Sequence, residues 1–277
     1  MSTPSSTVTV AAVQMVSGTE VAANLREAGH LIARAARAGA RLVVLPEYFC
    51  IMGRSDRDKV AVREPDGNGP IQAFLADAAA KHGIWLAGGT VPIDAQQPDR
   101  VKNSTLVYDP QGKRVTRYDK IHLFAFARGE ESYDEARTIA PGRELATFDF
   151  QPAGGPRIKV GLSVCYDLRF PELYRALAPV DLILVPAAFT ATTGRAHWET
   201  LLRARAIENL CYVLASAQGG RHENGRATFG HSMLVDPWGK VIAMQDEGPG
   251  VVVGSIDTQL IAQMRADLPA LSHRVIK

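Results

Sequence analysis

The sequence has few cysteines and no long apolar segment. Its 277 residues contain three cysteines, Cys50, Cys165 and Cys211, which lie far apart and form no Cys-x-x-Cys pair. This spacing argues against a disulfide framework or a zinc site and favours a reducing compartment. No apolar stretch approaches the roughly 20 residues that a membrane-spanning helix needs. We therefore expect a cytoplasmic protein that has no metal site and no membrane partner.

The chain also lacks an excess of charge of either sign. It carries 31 Lys and Arg against 29 Asp and Glu, with both signs interspersed. Because nucleic-acid-binding proteins usually carry a basic patch, we expect no nucleic-acid partner. The polar N-terminal residues lack a basic segment followed by an apolar one, which predicts a short disordered lead over 1–6 rather than a signal peptide. The hydrophobic content of 46% predicts that 7–277 form a single domain with a large core.

The pattern of predicted strands and helices occurs twice along the chain. Leu-Val-Val-Leu-Pro at 42–46 matches Leu-Ile-Leu-Val-Pro at 182–186, and both closing hairpins contain Asp-Pro-x-Gly-Lys. Near-continuous apolar strands are typical of sheets that are covered on both faces. We therefore predict an α/β fold in which two similar halves stack their sheets face to face, with helices outside.

Hydrophobic periodicity gives approximate bounds for these elements. In the first half we predict a strand at 7–15, a helix at 20–38, a strand at 42–45, a helix at 70–82, a strand at 84–87 and a hairpin at 104–115. In the second half we predict a strand at 158–164, a helix at 171–178, a strand at 182–185, a helix at 196–209, a strand at 212–215 and a hairpin at 232–242. The intervening residues 119–156 are rich in charge, Gly and Pro, and are predicted to be a loop that carries site residues.

Cys165 is the most informative candidate for chemistry. It follows a strand rich in β-branched residues and precedes a sharp turn into a helix with Pro171 in its first turn. A nucleophile at such an elbow is exposed at a sheet edge, and the next backbone N–H, that of Tyr166, is free to stabilise a developing anion. The alternative is that Cys165 is a small hydrophobic residue that ends a core strand.

Two further residues occupy similar positions, although each has an ordinary structural interpretation. Glu47 follows the strand at 42–45, but a carboxylate there is most often a solvated loop charge. Lys120 has apolar neighbours on its C-terminal side, which is also typical of a surface lysine with a packed stem. A papain-type Cys–His hydrolase is an alternative that would need a histidine to activate the thiol, whereas the histidines of the chain are expected to be structural.

Together these residues resemble the Glu-Lys-Cys triad of the carbon–nitrogen hydrolases of the nitrilase superfamily, in the same chain order. A fourth family residue, a glutamate before a Pro-Gly turn, falls on Glu135. The matching motifs extend over most of the chain and are Leu-Pro-Glu at 45–47, Tyr-Asp-Lys-Ile-His-Leu-Phe at 118–124, Asp-Glu-Ala-Arg-Thr-Ile-Ala-Pro-Gly at 134–142 and Gly-Leu-Ser-Val-Cys-Tyr-Asp-Leu-Arg-Phe-Pro-Glu at 161–172.

The resemblance implies a fold, an assembly and a mechanism. The fold is a four-layer αββα sandwich, and the assembly is a homodimer or higher homo-oligomer. Cys165 attacks an amide carbon to form a thioester, Glu47 acts as the base, Lys120 and the Tyr166 N–H stabilise the oxyanion, and Glu135 holds Lys120 or the substrate. No cofactor is implied.

The second half is most similar to the Nit-type amidases. The markers lie at 192–199, 201–209, 217–222, 230–233 and 236–239. They imply a small carboxylated amide as substrate, with deaminated glutathione favoured over the α-ketoglutaramate of ω-amidases and over nitriles. Arg195 replaces a common proline and Asp119 a frequent arginine, so the substrate is less well defined than the reaction. From another class, a non-catalytic binding module is the alternative, and the intact triad argues against it.

The same resemblance suggests four substrate-binding residues. Arg169 lies four residues after Cys165, where its guanidinium can bind a substrate carboxylate through two parallel hydrogen bonds. Its alternative role is an ion pair with Glu172 or Asp167. The other three positions, which supply a wall and a hydroxyl donor, are Tyr48, Phe189 and Thr193.

Overall fold

The computed structural model describes residues 5–129 and 131–276. Most of the predicted lead, 1–4, lies outside the described residues. In chain order the elements are β1 (Thr7–Gln14), α1 (Val21–Arg37), β2 (Leu42–Val44), α2 (Asp58–Ala61), α3 (Pro70–His82), β3 (Trp85–Ala87), β4 (Val91–Gln97), β5 (Arg100–Tyr108), β6 (Arg114–Asp119), β7 (Ala125–Arg128), β8 (Glu131–Asp134), β9 (Thr147–Phe150), β10 (Ile158–Leu162), α4 (Pro171–Leu177), β11 (Leu182–Ala187), α5 (Ala191–Asn209), β12 (Tyr212–Ala217), β13 (Gly219–Arg221), β14 (Ala227–Phe229), β15 (Ser232–Val235), β16 (Val241–Gln245), β17 (Gly250–Asp257) and α6 (Thr258–Asp267).

Two large sheets form the centre of the fold. The first has the order β17-β1-β2-β3-β5-β4, with β6 also paired to β5, and the second has the order β16-β15-β12-β11-β10-β9. In each sheet three successive strands run parallel, β1, β2 and β3 in the first and β10, β11 and β12 in the second. The predicted repetition of the two halves is therefore present in the sheet topology.

Alternating residues of the central strands bury both faces of each sheet. Val10 and Ala12 belong to a core that includes the second sheet, whereas Ala11 and Val13 belong to a core that includes α1 and α3. Because successive side chains point to opposite faces, a strand between two layers must be apolar at every position. This arrangement explains the continuous apolar runs in the sequence.

The helices cover the outer faces of the two sheets. Leu31 and Ile32 of α1 and Leu75 of α3 pack on the first sheet. Trp198 and Leu202 of α5 pack on the second, together with α4. The α/β class and the αββα order of layers are thus confirmed. None of the helices within 5–129 and 131–276 is long and apolar enough to cross a bilayer.

The prediction of an irregular loop over 119–156 is wrong in part. The segment contains the β7–β8 hairpin and β9, and β9 pairs with β10 as the edge strand of the second sheet. The signal for β9 was present, since Phe148 and Phe150 alternate with exposed residues. With only four residues, β9 is too short for its alternating pattern to outweigh the loop signal of the surrounding Gly and Pro.

The helix predicted at 196–209 begins earlier, at Ala191. The side chain of Thr190 accepts a hydrogen bond from the backbone N–H of Thr193 and so caps the helix. The segment 190–194 is rich in Thr and Gly, which have low helix propensity, so the first turn of this helix was not predicted from the sequence. As a result Thr193 lies in the first turn of α5, rather than in a loop.

Candidate active site

Lys120 is the centre of a buried cluster of charges. Its Nζ lies 2.9 Å from Oε1 of Glu47 and 2.8 Å from Oε2 of Glu135, and its side chain is fully buried. Burial alone would lower the pKa of Lys120, but the charges of Glu135 and Glu47 outweigh this effect and raise the pKa above its ordinary value. Lys120 therefore stays protonated between the two carboxylates.

The Glu47 carboxylate is held by three donors. Oε1 accepts from Lys120 and from Nδ2 of Asn103 at 2.9 Å, and Oε2 accepts from the backbone N–H of Ala188 at 3.0 Å. A carboxylate has about four acceptor positions, so one position on Oε2 is left within the described residues. This oxygen is available to take a proton.

Glu135 is fixed on the other side of Lys120. It accepts hydrogen bonds from the Tyr48 hydroxyl at 2.7 Å and from the backbone N–H of Phe124 at 2.7 Å. Burial alone would raise the pKa of Glu135, but the Lys120 ammonium and the hydrogen bond from the Phe124 N–H hold it below its ordinary value. Glu135 is therefore ionised, and it fixes the position of the Lys120 ammonium.

The segment that carries Lys120 is fixed through its backbone. The Lys120 N–H donates to the carbonyl of Asn103, and the N–H of Gly142 donates to the carbonyl of Lys120. A Cβ at position 142 would lie 2.1 Å from the Asp119 carbonyl oxygen, so only glycine allows this close approach.

Cys165 lies at the elbow between β10 and α4, in a 3-10 turn. Its φ of 48° is unusual for a residue with a side chain and is typical of strained turns that present a nucleophile. Burial, followed by the charge of Glu47, raises the pKa of the Cys165 thiol well above its ordinary value, although Lys120 opposes the shift. The thiol is therefore protonated in the resting protein.

Ala188 links the thiol to the charged cluster. Besides donating to Glu47, it lines a small cavity of about 10 Å³ with Cys165 and Tyr166. Phe124, Phe189 and Thr193 close the same cavity. The structure thus brings together Glu47, Lys120, Glu135 and Cys165, which lie far apart in the sequence.

Asp167 ties the elbow to the Lys120 segment, although the sequence analysis gave it no role at the site. Its fully buried carboxylate accepts from Val164 N–H at 2.8 Å, from His122 N–H at 3.0 Å and from the Tyr118 hydroxyl at 2.7 Å. The His122 ring contributes a fourth contact at 2.7 Å. One carboxylate therefore sets the positions of both the nucleophile and the lysine.

The predicted substrate-binding residues fall on two sides of the cluster. Phe189 and Thr193 lie beside Cys165, and the Arg169 guanidinium lies 5.2 Å from the Phe189 ring centre. Within the described residues, Arg169 forms no ion pair with Glu172 or Asp167; its Nη1 lies 3.3 Å from Nδ1 of His197. Tyr48 lies on the other side, with its hydroxyl bonded to Glu135.

The histidines do not support a papain-type site. The ring of His122 bonds to Asp167, and that of His197 approaches Arg169. His222 bonds to Ser17 and Thr228, and His231 bonds to a backbone carbonyl. Among the described hydrogen bonds, none joins a histidine to Cys165. The described contacts therefore give no histidine that could activate the thiol.

The sequence analysis missed three parts of the site. Asn103 and the Ala188 N–H orient Glu47, and Asp167 orients the elbow. A signal existed for Asn103, a polar residue in the same strand as the apolar residues 106–108, where a buried amide needs partners. The role of the Ala188 N–H is a backbone property that no side-chain pattern encodes.

Comparison with known proteins agrees with this geometry. The family model for carbon–nitrogen hydrolases matches residues 9–266. The deaminated glutathione amidase of Synechocystis sp. is 39% identical over 269 residues, which cover 96% of this chain and 97% of the relative. The human deaminated glutathione amidase is 40% identical over 271 residues, which cover 96% and 81%.

A solved structure shows the same fold. The Nit3 protein of Saccharomyces cerevisiae, a member of branch 10 of the nitrilase superfamily, is similar with a TM-score of 0.85 and 31% identity. The match covers 98% of this chain and 97% of Nit3. Sequence and structure comparisons therefore point to the same family.

Proposed function

Because the chain belongs to the carbon–nitrogen hydrolase family of the nitrilase superfamily and is a hydrolytic amidase, we propose that its substrate is deaminated glutathione and that Cys165 forms a thioester with it. The observation that carries the mechanism is the buried array of Glu47, Lys120 and Glu135 beside a cysteine on a strained elbow. The substrate is supported by the relatives of about 40% identity that carry that name.

The first step is the transfer of the thiol proton. Two carboxylates and one ammonium give the resting cluster a formal charge of −1, so a standing thiolate would add a second uncompensated charge. We infer that Cys165 loses its proton to the free position on Glu47 Oε2 as it attacks the amide carbon. The new C–S bond forms while the carbonyl π electrons move to oxygen.

The oxyanion is then stabilised by two donors. Lys120 is fixed by both carboxylates, so its ammonium needs no reorganisation when the negative charge develops. The Tyr166 N–H has no acceptor among the described residues and is the second donor. The oxyanion collapses, the C–N bond breaks, and protonated Glu47 gives its proton to the leaving nitrogen. Glu47 next activates water, which releases the acid from Cys165.

Deaminated glutathione has an acyl half and a leaving half. The acyl half is a five-carbon 2-oxo dicarboxylic acid, and the leaving half is cysteinylglycine. Arg169, which lies near Phe189 beside the cavity at Cys165, is the cation for the carboxylate of the acyl half. α-Ketoglutaramate has the same acyl half with ammonia as the leaving group, so it is the second candidate substrate.

Mass spectrometry and kinetics together test this proposal. We expect rapid quenching during turnover to show an acyl adduct on the Cys165 peptide, and Cys165→Ala to fold normally but lose activity. The purified protein should hydrolyse deaminated glutathione with a higher kcat/KM than α-ketoglutaramate, glutamine or simple nitriles. An adduct on Cys50 or Cys211 would contradict the mechanism. A preference for α-ketoglutaramate would identify an ω-amidase, and no turnover of any amide would favour a non-catalytic binding module.

We also propose a reducing, cytoplasmic location and a homodimer or higher homo-oligomer. Cys50, Cys165 and Cys211 are all free thiols, and Cys165 must stay reduced to act as a nucleophile. Trp238 is 63% exposed, and the turn that carries it packs beside the half-exposed Ile207. Exposed apolar patches of this kind often mark protein interfaces.

A further inference from the structure

A second, larger cavity lies on the Tyr48 side of the charged cluster. Its volume is about 270 Å³, against about 10 Å³ for the cavity at Cys165. Three basic side chains and one acidic side chain line it, which gives a formal charge of +2; these are Arg54, Lys59, Arg226 and Asp56. A cavity of this size and charge is suited to a small anion or to the anionic end of a larger ligand.

Two of these cations are poorly compensated. The Lys59 side chain is only 12% exposed, and the carboxylate that it pairs with among the described residues, Asp56, lies 3.5 Å away and is half exposed. Within the described residues, the Arg226 guanidinium forms no ion pair or hydrogen bond, and its Nε is buried. Burying charged groups without full pairing is costly, so an anion in the cavity would supply the missing partners.

Aromatic rings hold both cations at the cavity wall. The Lys59 ammonium lies 5.0 Å from the centre of the Tyr48 ring, and the Arg226 guanidinium lies 4.8 Å from the Tyr133 ring. Cation–π contacts of this kind fix the direction of a charged group without neutralising it. The donors of both groups therefore remain available to a ligand.

The cavity adjoins the candidate active site, from which single side chains separate it. Tyr48 lines the cavity and donates to Glu135, which in turn holds Lys120. Tyr133 lines the cavity and packs 5.7 Å from Phe124, which lines the small cavity at Cys165. One layer of residues thus separates the nucleophile from the basic cavity.

We propose that this basic cavity binds the C-terminal carboxylate of the amine that leaves, the glycine end of the cysteinylglycine half of deaminated glutathione. The inference rests on the proposed function. From the scissile nitrogen to that carboxylate the leaving half is two residues long, or about 7 Å when extended, which is enough to cross one layer of side chains. Arg169 and the basic cavity then bind the two ends of the substrate, with Cys165 between them.

Two substrates with the same acyl half provide the test. Deaminated glutathione and α-ketoglutaramate form the same thioester, so a residue that binds the leaving half affects only the first. We expect Arg226→Gln to lower kcat/KM for deaminated glutathione by about 10-fold to 100-fold, mainly through KM, because one charge-assisted hydrogen bond is lost. The change for α-ketoglutaramate should stay below about threefold.

Three controls sharpen the test. Arg221→Gln lies on the same hairpin but is exposed and outside the cavity, so it should change neither substrate. Arg226→Lys should recover part of the loss because the charge remains. Deaminated glutathione amidated at the glycine carboxylate should be hydrolysed at similar rates by the unmodified protein and by Arg226→Gln. Lys59→Met should repeat the Arg226→Gln pattern, and thermal unfolding should confirm that each variant is folded.

The possible failures can be told apart. Equal losses on both substrates, or no loss on either, would overturn the proposed subsite and leave the amidase assignment intact. If the unmodified protein does not hydrolyse deaminated glutathione, the proposed function fails. Binding of alanylglycine to Cys165→Ala, measured by calorimetry at millimolar concentrations, then decides on the cavity alone. Binding that Arg226→Gln abolishes supports the subsite, and absence of binding refutes it.

Discussion

Replacing Asp167 with asparagine tests whether one buried carboxylate holds the two halves of the site together. The carboxylate accepts four hydrogen bonds, and two of the donors are the backbone N–H groups of Val164 and His122. These two donors approach different oxygens. In either orientation of the asparagine amide, its NH₂ group therefore faces one backbone N–H, which is left unpaired and buried.

The expected cost follows from these contacts. An unpaired buried donor costs about 1–3 kcal/mol, and the two bonds to the remaining oxygen lose their charge assistance at about 1 kcal/mol each. We therefore expect Asp167→Asn to lower the free energy of unfolding by about 3–5 kcal/mol, a large part of the 5–15 kcal/mol typical of a domain. Urea unfolding followed by tryptophan fluorescence measures this change.

Activity should fall with stability even where the variant is folded. Val164 precedes Cys165, and His122 lies two residues after Lys120, so an unpaired N–H at either place displaces a reacting group. Asp149→Asn is the matched control, because Asp149 is exposed and its partner in the part of the chain that the structure describes is the exposed Arg157. Unchanged stability and kcat in Asp167→Asn would refute the role assigned to this carboxylate.

Four further predictions concern the nucleophile, the substrate and the assembly. Glu47→Gln should lower kcat at least ~10²-fold. It should also let iodoacetamide alkylate Cys165 at lower pH, since the Glu47 charge raises the pKa of that thiol. Lost activity with an unchanged alkylation profile would contradict the base role. Burial raises the pKa of Cys50 to about 12 and that of Cys165 above its ordinary 9.0. Above about pH 9 unfolding therefore releases protons from these thiols, and urea titrations should show that the free energy of unfolding decreases as the pH rises. Arg169→Lys should raise KM for deaminated glutathione in steady-state assays but spare a neutral amide of similar size, whereas equal losses would make Arg169 structural. Light scattering should give at least twice the chain mass of 29.9 kDa, and a stable active monomer would exclude the proposed dimer.

Much of the candidate site could be predicted because its residues follow a regular rule. Glu47 and Cys165 each follow a central strand of one half, after β2 and β10 respectively. Parallel strands present such residues at the same edge of a sheet, so residues that follow strands of two stacked sheets can meet. The pairing of Lys120 with Glu47 and Glu135, which lie 2.9 and 2.8 Å from its Nζ, required the tertiary structure.

The sequence alone determined the local elements and the duplicated order, because strand and helix periodicities depend only on which faces of each element are buried. It also predicted which residues carry chemistry, since a strand-to-helix elbow and motif spacing are local properties. The tertiary structure decided which groups meet. The β17 strand, near the end of the described chain, pairs with β1 in the first sheet and so joins the two halves. The charges that raise the pKa of the Cys165 thiol and the cations of the basic cavity come from segments distant in sequence. Long-range pairing and the desolvation of charges depend on all the layers at once, and no local pattern encodes them.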